Sequence, residues 1–206
     1  MRIAQVESIS VAELLSRLKQ VKLRGHEQAL VYEHATLTFE RGMDADKLWP
    51  AQAYVIKRNV ARIHALREAL KARGIDIFAL EGACLVRADG LTDDGRPMPV
   101  LPPVVEETIE ADGSCRLLIN DGMHRVFAAR EVGAPISIVL ARNMPREFPY
   151  YAFPLEHGWA DVQALDAAPP SGSARKAYRF PENHKALFRD FNAVFPGVQE
   201  DRKAAA

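Results

Sequence analysis

Six consecutive residues near the middle of the chain, Asn120 to Arg125, have the types and order expected of a phosphate-binding turn. Gly122 would let the backbone approach an anion closely, and Asp121 could cap a helix or hold a magnesium ion. His124 and Arg125 follow in the first helical turn, where arginine can bind phosphate through two N–H groups. A helix start also presents backbone N–H groups without intrahelical acceptors, and its dipole favours negative charge.

Spacing alone leaves two interpretations of this turn open. Cationic side chains are disfavoured at the positive end of a helix, so His124 and Arg125 at this position indicate that a bound anion compensates them. In the alternative, Asp121 is only a cap, Gly122 only a turn residue, and the two cationic residues lie on the surface. Six residues without a fixed distant partner are less specific than a Walker motif.

The segments around the turn predict the elements that position it. Val104–Glu110 and Ser114–Asn120 are two strands joined through Ala-Asp-Gly, which is a strong hairpin signal. The second strand leads directly into the turn, and a helix over Met123–Val132 follows, with Gly133 at its end. The apolar stretch PISIVLAR then predicts another strand.

The first half of the chain predicts further helices and strands. A Ser-x-x-Glu capping box precedes a helix over about Val11–Lys19. The β-branched and aromatic residues of Gln28–Phe39 predict a strand. Apolar residues at three- and four-residue steps predict a long helix over Gln52–Arg73, followed by a glycine cap. The next stretch, IDIFALEGACLVRAD, favours one or two short strands.

The composition of the chain shifts after about Arg142, and we divide the chain into three parts. Residues 1–50 are expected to add a helix and strands to the core, residues 51–142 to form the central part, and residues 143–206 to form a C-terminal extension. A linker is predicted near 166–176, and a last amphipathic helix over Pro181–Val194. Basic and aromatic residues surround the start of that helix: Arg175, Lys176, Tyr178, Arg179 and Phe180. They could complete an anion site or contact nucleic acid, but the apolar face favours a structural helix packed on the core.

Composition limits the classes of function. The 206 residues hold 27 lysines and arginines against 27 aspartates and glutamates, so any anion site must be local. Two cysteines, Cys84 and Cys115, are too few for a disulfide framework and favour a cytoplasmic location. We expect no signal peptide and no membrane span, since the longest apolar run is short. The spacing of histidines and cysteines predicts no zinc site.

The stretch LLINDGMHRVFAAREVGAPISIVLA resembles the core of the ParB/sulfiredoxin superfamily, in which a strand leads into an Asp-Gly-x-His-Arg turn, a helix and a strand. The helix KRNVARIHALREALKARG resembles the preceding helix of that family. The resemblance covers about Val55–Arg142, a little under half of the chain, and only the turn is specific. It implies an α/β fold of the α+β kind, with a mixed sheet, packed helices and a helical C-terminal extension.

The resemblance also implies a ligand and several roles. Members of the family bind ATP or CTP, so Asn120, Asp121, Gly122, Met123, His124 and Arg125 become candidate nucleotide- and phosphate-binding residues. Sulfiredoxins have a reactive cysteine where this chain has Met123, which cannot act as a thiolate, so sulfiredoxin activity is not expected. The turn is most similar to that of the free serine kinase branch. That branch uses a glutamate near its start as base, and Glu27 is the nearest candidate, with Glu33 behind it.

The sequence therefore predicts a protein that binds ATP or another nucleotide. If it transfers a phosphoryl group, we expect Mg²⁺ to be bound as well. It transfers a phosphoryl group to a small hydroxyl compound or hydrolyses the nucleotide, with Glu27, Asp121 and His124 as candidate catalytic residues. The alternative is a non-catalytic nucleotide-sensing or nucleic-acid-associated module, as in the partition and nuclease relatives. Its partners would be the nucleotide and a small acceptor, with a homodimer left open. No metal ligand set of its own is predicted.

Overall fold

A computed structural model describes residues 1–89, 96–170 and 176–198, and it shows the α+β fold that the sequence predicts. The helices are α1 Val11–Leu18, α2 Lys57–Lys71 and α3 Met123–Glu131. The strands are β1 Ile3–Ile9, β2 Lys22–Leu23, β3 Thr36–Met43, β4 Leu48–Trp49, β5 Tyr54–Ile56, β6 Ala83–Ala88, β7 Met98–Val100, β8 Val104–Ile109, β9 Cys115–Asp121, β10 Ile136–Arg142, β11 Gln163–Leu165 and β12 Arg189–Asp190. Short 3-10 turns lie at His26–Gln28, Ala45–Lys47, Gly158–Asp161, His184–Leu187 and Phe191–Ala193.

A mixed sheet of five strands in the order β3-β10-β8-β9-β4 lies at the centre. Its strand β10 is buried from Ile136 to Ala141, because both faces of the sheet are covered. Ile138 and Leu140 point into a core cluster with α2 and α3, while Val139 and Ala141 point into a second cluster with α1 and the C-terminal residues. The alternation of a strand thus divides one apolar stretch between two cores.

The predicted hairpin and the elements after it are confirmed. β8 and β9 pair antiparallel, and the Glu110 N–H donates to the Ser114 carbonyl at 2.9 Å across the turn. α3 begins directly after β9, and β10 follows α3. Local signals sufficed here because the hairpin, the glycine turn and the short helix all depend on neighbours in sequence.

The prediction for the long helix is correct in the middle and wrong at its start. The helix begins at Lys57, because Tyr54–Ile56 pair in parallel with Gln163–Leu165 as strands β5 and β11. The pairing is long-range, so helical periodicity could not reveal it. The glycine cap is confirmed, as Gly74 has a φ of +77°.

The predicted strand Gln28–Phe39 is wrong over most of its length. The strand begins only at Thr36, and the 3-10 turn His26–Gln28 lies where the predicted strand would begin. Val31 and Tyr32 are fully buried although they lie outside any strand. Their β-branched and aromatic character reflects burial, which the sequence pattern cannot distinguish from strand pairing.

The predicted C-terminal helix over Pro181–Val194 is also wrong. Two 3-10 turns flank the strand β12, which pairs antiparallel with β2. Three apolar side chains at near-helical spacing, Leu187, Phe191 and Phe195, are nevertheless buried in the second core cluster. We call residues 176–198 the strap, because they cross the core in this irregular form. Of the predicted linker 166–176, residues 171–175 lie outside the described part.

The burial of the strap leads to a stability prediction. Phe191 is fully buried whereas Phe180, in the same strap, is 49% exposed. We expect Phe191→Ala to lower the free energy of unfolding by about 3–5 kcal/mol, through lost transfer energy and the cavity left behind. Urea denaturation of both variants measures the effect. Phe180→Ala is the matched control and should change little, so equal losses would contradict the packing described.

Candidate functional site

The predicted turn forms the end of β9 and the start of α3. Gly122 adopts a φ of +91° and precedes the first helical residue, Met123. The Arg125 and Val126 N–H groups both donate to the Gly122 carbonyl, at 2.9 and 3.0 Å. The amides before Arg125 therefore have no acceptor within the helix, and the positive end of the helix dipole lies at this point.

Gly122 is required at this position for a steric reason as well. A Cβ atom added to it would lie 2.9 Å from the Pro103 Cβ and 3.0 Å from an Arg125 guanidinium nitrogen. Such distances are shorter than carbon atoms tolerate, and the positive φ already disfavours any side chain. The turn therefore packs closely between the loop before β8 and the helix that follows it.

One cleft brings the whole predicted turn together. It has a volume of about 700 Å³, and all six residues from Asn120 to Arg125 line it. The rest of the lining includes residues of β5, α2 and the strap, among them Ile56, Asn59, Arg62, Ile63, Leu66, Lys176 and Phe188. The volume is in the range of sites for small molecules and cofactors.

Asp121 and Arg125 form an ion pair inside this cleft. An Asp121 carboxylate oxygen accepts from an Arg125 guanidinium nitrogen at 2.5 Å, and both side chains are about 85% shielded from solvent. The pair fixes the plane of the guanidinium. Arg125 has no other hydrogen-bond partner among the described residues, so most of its N–H donors remain for a ligand.

His124 has one nitrogen already engaged. Its Nε2 accepts a hydrogen bond from the Ile56 N–H at 3.0 Å. That nitrogen therefore carries no proton, and the neutral ring has its proton on Nδ1 as a donor. His124 thus joins α3 to the end of β5. Met123 packs against the core cluster between α2 and α3, and so its side chain supports the turn from behind.

The sequence analysis missed a buried polar network directly beneath the turn. The Glu106 carboxylate accepts from both Arg189 Nε and Arg189 Nη2 at 2.9 Å, and both side chains are fully buried. One of its oxygens also accepts from the Tyr32 hydroxyl at 2.8 Å and from the Asn120 amide at 2.6 Å. Burial raises the pKa of Tyr32 well above its usual value, so this hydroxyl stays a donor. The signal in the sequence was a charged residue at an inward position of the strand VVEETI.

Glu27 lies apart from this arrangement. It is exposed in the 3-10 turn after β2, with a φ of +53°, and is not among the described residues that line the cleft. Its neighbour in sequence Arg24 does line the cleft. The structure therefore brings together Asp121 and His124 of the three candidate catalytic residues, and it places Glu27 outside.

The charges of the cleft are strongly unequal although the chain is neutral. Asp121 is the one acidic residue in its described lining, against Arg24, Arg62, Arg125, Lys176 and Arg189. Since Glu106 compensates Arg189 and Asp121 compensates Arg125, the lining cations without a carboxylate partner among the described residues are Arg24 and Lys176. This local excess favours an anionic ligand.

Both cysteines lie away from the turn. Cys84 is buried in β6, where burial raises the pKa of its thiol to about 11. Cys115 is exposed at the start of β9, at the opposite end of that strand from Asp121. Neither lines the cleft, and Met123 occupies the position at which the resemblance would require a thiolate.

The comparisons with known proteins define the class. A family model described as the ParB CE domain matches residues 13–163, which is well over half of the 206-residue chain. The chain therefore belongs to the ParB CE domain family, and the predicted ParB-like relationship is confirmed. No curated protein and no solved structure matches. Among the described residues, no helix is both long enough and apolar enough to cross a bilayer.

The tight fit at Gly122 leads to a prediction with an internal control. Gly122→Ala should lower the free energy of unfolding by about 1–3 kcal/mol or more, because the methyl group meets Pro103 as well as a left-handed backbone. Gly133→Ala is the control, since Gly133 also has a positive φ, +58°, but no atom lies within 4 Å of its added Cβ. Thermal unfolding of both variants should therefore show the larger loss at Gly122, and equal losses would contradict the packing against Pro103.

Proposed function

We propose that the cleft binds a nucleotide, with its phosphates at the start of α3. The observation that carries the proposal is the placement of all six turn residues in one positively charged cleft at a helix N-terminus. Backbone N–H groups before Arg125 would bind phosphate oxygens, and the guanidinium fixed by Asp121 would add charge-assisted hydrogen bonds.

The remainder of the cleft suits the other parts of a nucleotide. Apolar side chains from α2 and β7, including Ile63, Leu66 and Val100, line it alongside the turn. They would contact the flat faces of a base, while Asn59 and Gln52 offer amide groups for its polar edge. An apolar wall with a few polar groups is typical of small-molecule sites.

Magnesium would fit beside the turn. Mg²⁺ in nucleotide sites is commonly held by one or two carboxylates together with phosphate oxygens and water. Asp121 is the carboxylate placed to take part, and the ion would neutralise charge on the phosphates.

Phosphoryl transfer to a small hydroxyl compound, or hydrolysis, is the reaction that we propose for such a site. It is supported by the joint presence of a phosphate-binding turn and a carboxylate in one cleft. A nucleotide-sensing role without turnover is the second candidate. It is supported by the engagement of Asp121 with Arg125 and of the His124 Nε2 with Ile56, since both groups then position rather than react.

Nucleotide binding predicts a change in melting temperature. With Mg²⁺ and ATP, CTP, GTP or ADP at one hundred times Kd, the native state gains about 2.7 kcal/mol. Loss of charge-assisted hydrogen bonds costs about 1.5–3 kcal/mol, so Arg125→Gln should weaken binding roughly tenfold or more. Arg62→Gln should also weaken it, since Arg62 lines the cleft on α2, beside Asn59 and Ile63, which are proposed to contact the base.

The matched control is Arg58→Gln, one turn earlier on α2. Arg58 is exposed and does not belong to the described lining of the cleft. The Arg58→Gln variant loses the same charge from the same helix as Arg62→Gln. Because the lost side chain does not line the cleft, its nucleotide affinity should equal that of the wild type. Absence of stabilisation by all four nucleotides would refute the proposal. If Arg125→Gln binds nucleotide as tightly as the wild type, the phosphates do not bind at the turn.

Turnover is tested by Asp121→Asn against Glu27→Gln. We expect Asp121→Asn to lower kcat by about 100-fold, within the range for removal of a catalytic acid–base group or metal contact. Release of nucleoside diphosphate in the presence of candidate hydroxyl compounds is the measurement. Glu27→Gln should retain turnover because its carboxylate lies outside the cleft. If only Glu27→Gln loses turnover, the catalytic base lies on the His26–Gln28 turn. If the wild type shows no turnover, the nucleotide-sensing role is the candidate function that remains.

A further inference from the structure

A second group of cations lines the cleft on the side formed by the strap. Lys176 and Arg24 both belong to its lining, together with the rings of Tyr151 and Phe188. None of these four residues belongs to the predicted turn. Lys176 and Phe188 also lie beyond residues 13–163, which the family model matches. Two of these four residues therefore lie outside the part of the chain that the family model matches.

Lys176 is held in place by two tyrosines. Its ammonium donates to the Tyr150 hydroxyl at 3.0 Å and to the Tyr151 hydroxyl at 2.6 Å. It also lies 4.6 Å from the centre of the Tyr151 ring. A lysine that is free in solution loses side-chain entropy when it binds an anion, but here the tyrosines have already restricted its position.

Arg24 is fixed from its backbone. Its N–H donates to the Phe188 carbonyl at 3.0 Å, and its guanidinium carbon lies 5.9 Å from the centre of the Phe188 ring. The next residue, Gly25, donates to the Ala186 carbonyl at 2.9 Å. A Cβ on Gly25 would lie 2.3 Å from the Ala186 Cβ, so glycine is needed for this close approach. The segment that bears Arg24 is thus fastened directly to the strap.

These two cations have no carboxylate partner among the described residues. A partly buried, positioned ammonium without a counter-ion raises the local potential and favours binding of an anion. We propose that Lys176 and Arg24 form a second anion subsite, which binds the phosphate or carboxylate group of a small-molecule co-substrate. The inference rests on the proposed function and names the acceptor as an anionic hydroxyl compound.

The aromatic rings argue against a nucleic acid at this subsite. Tyr151 packs on Phe188 at 4.6 Å between ring centres, and Tyr178 stacks on His184 at 3.8 Å. Proteins that bind single strands offer ring faces on which successive bases can stack. Here the rings contact one another, so the cations are the groups that serve a ligand. A compact anion fits this arrangement better than a strand.

The subsite is joined to the turn without being part of it. Arg189 lies 5.6 Å from the centre of the Tyr150 ring, and its partner Glu106 accepts from Asn120. The buried pair of Glu106 and Arg189 is neutral overall. It lies between Lys176 and the turn in this series of contacts. A nucleotide phosphate and the anion of a co-substrate could therefore occupy one cleft without sharing a cation.

Inorganic phosphate, titrated into the full chain by calorimetry, tests the inference. We expect Arg24→Gln/Lys176→Gln to raise the Kd for phosphate at this subsite at least tenfold, while nucleotide affinity stays within about threefold. Titrations are repeated with saturating nucleotide, which blocks the turn and leaves the second subsite. Acetate in place of phosphate distinguishes a carboxylate from a phosphate co-substrate, and the anion that binds more tightly identifies the class.

Two controls keep the result interpretable. Arg58→Gln/Lys185→Gln removes the same charge outside the described lining and should bind phosphate like the wild type. Tyr151→Phe keeps the ring and removes the hydroxyl that positions Lys176, so it should weaken phosphate binding a few-fold without loss of folding. A double variant that folds and binds both anions like the wild type overturns the subsite. Loss of nucleotide binding in the wild type would instead overturn the proposed function, and the phosphate titration would still decide the subsite.

Discussion

The structure depends on one buried ion pair, between Glu106 and Arg189. Both side chains are fully buried, and two hydrogen bonds of 2.9 Å join them. Breaking such a pair by removal of one partner typically costs about 3–5 kcal/mol, because the other charge is left without compensation. Glu106 also accepts from Tyr32 and Asn120. A single carboxylate therefore joins the loop before β3, the central sheet, the turn that begins at Asn120, and the strap.

This constraint explains why the site is built from distant parts of the chain. Asn120 is the first residue of the turn, and its amide is oriented by Glu106 rather than by a ligand. Arg189 belongs to the strap, which also lines the cleft. The turn and the strap thus share one anchor. A change in that anchor would alter the turn and the strap together.

The sequence predicted the parts of the site whose signals are local. The hairpin, Gly122, α3 and β10 follow one another in sequence, and each has a turn or periodicity signal of its own. Glu106 and Arg189 are 83 residues apart, and neither residue predicts the other. The same limit explains the strap, where the near-helical spacing of Leu187 and Phe191 arises in 3-10 turns and a strand. Burial was foreseen there, but backbone conformation was decided by pairing with β2.

The chain is neutral overall, but the charges that line the cleft are compensated unequally. Arg189 is neutralised by Glu106 in the interior, and Arg125 shares its charge with Asp121 at the turn. Arg24 and Lys176 line the cleft and have no carboxylate partner among the described residues. Since screening in physiological salt acts over about 8 Å, the opposite charges elsewhere on the surface contribute little inside it. An anion in the cleft would therefore be favoured by the placement of these cations and not by the net charge of the chain.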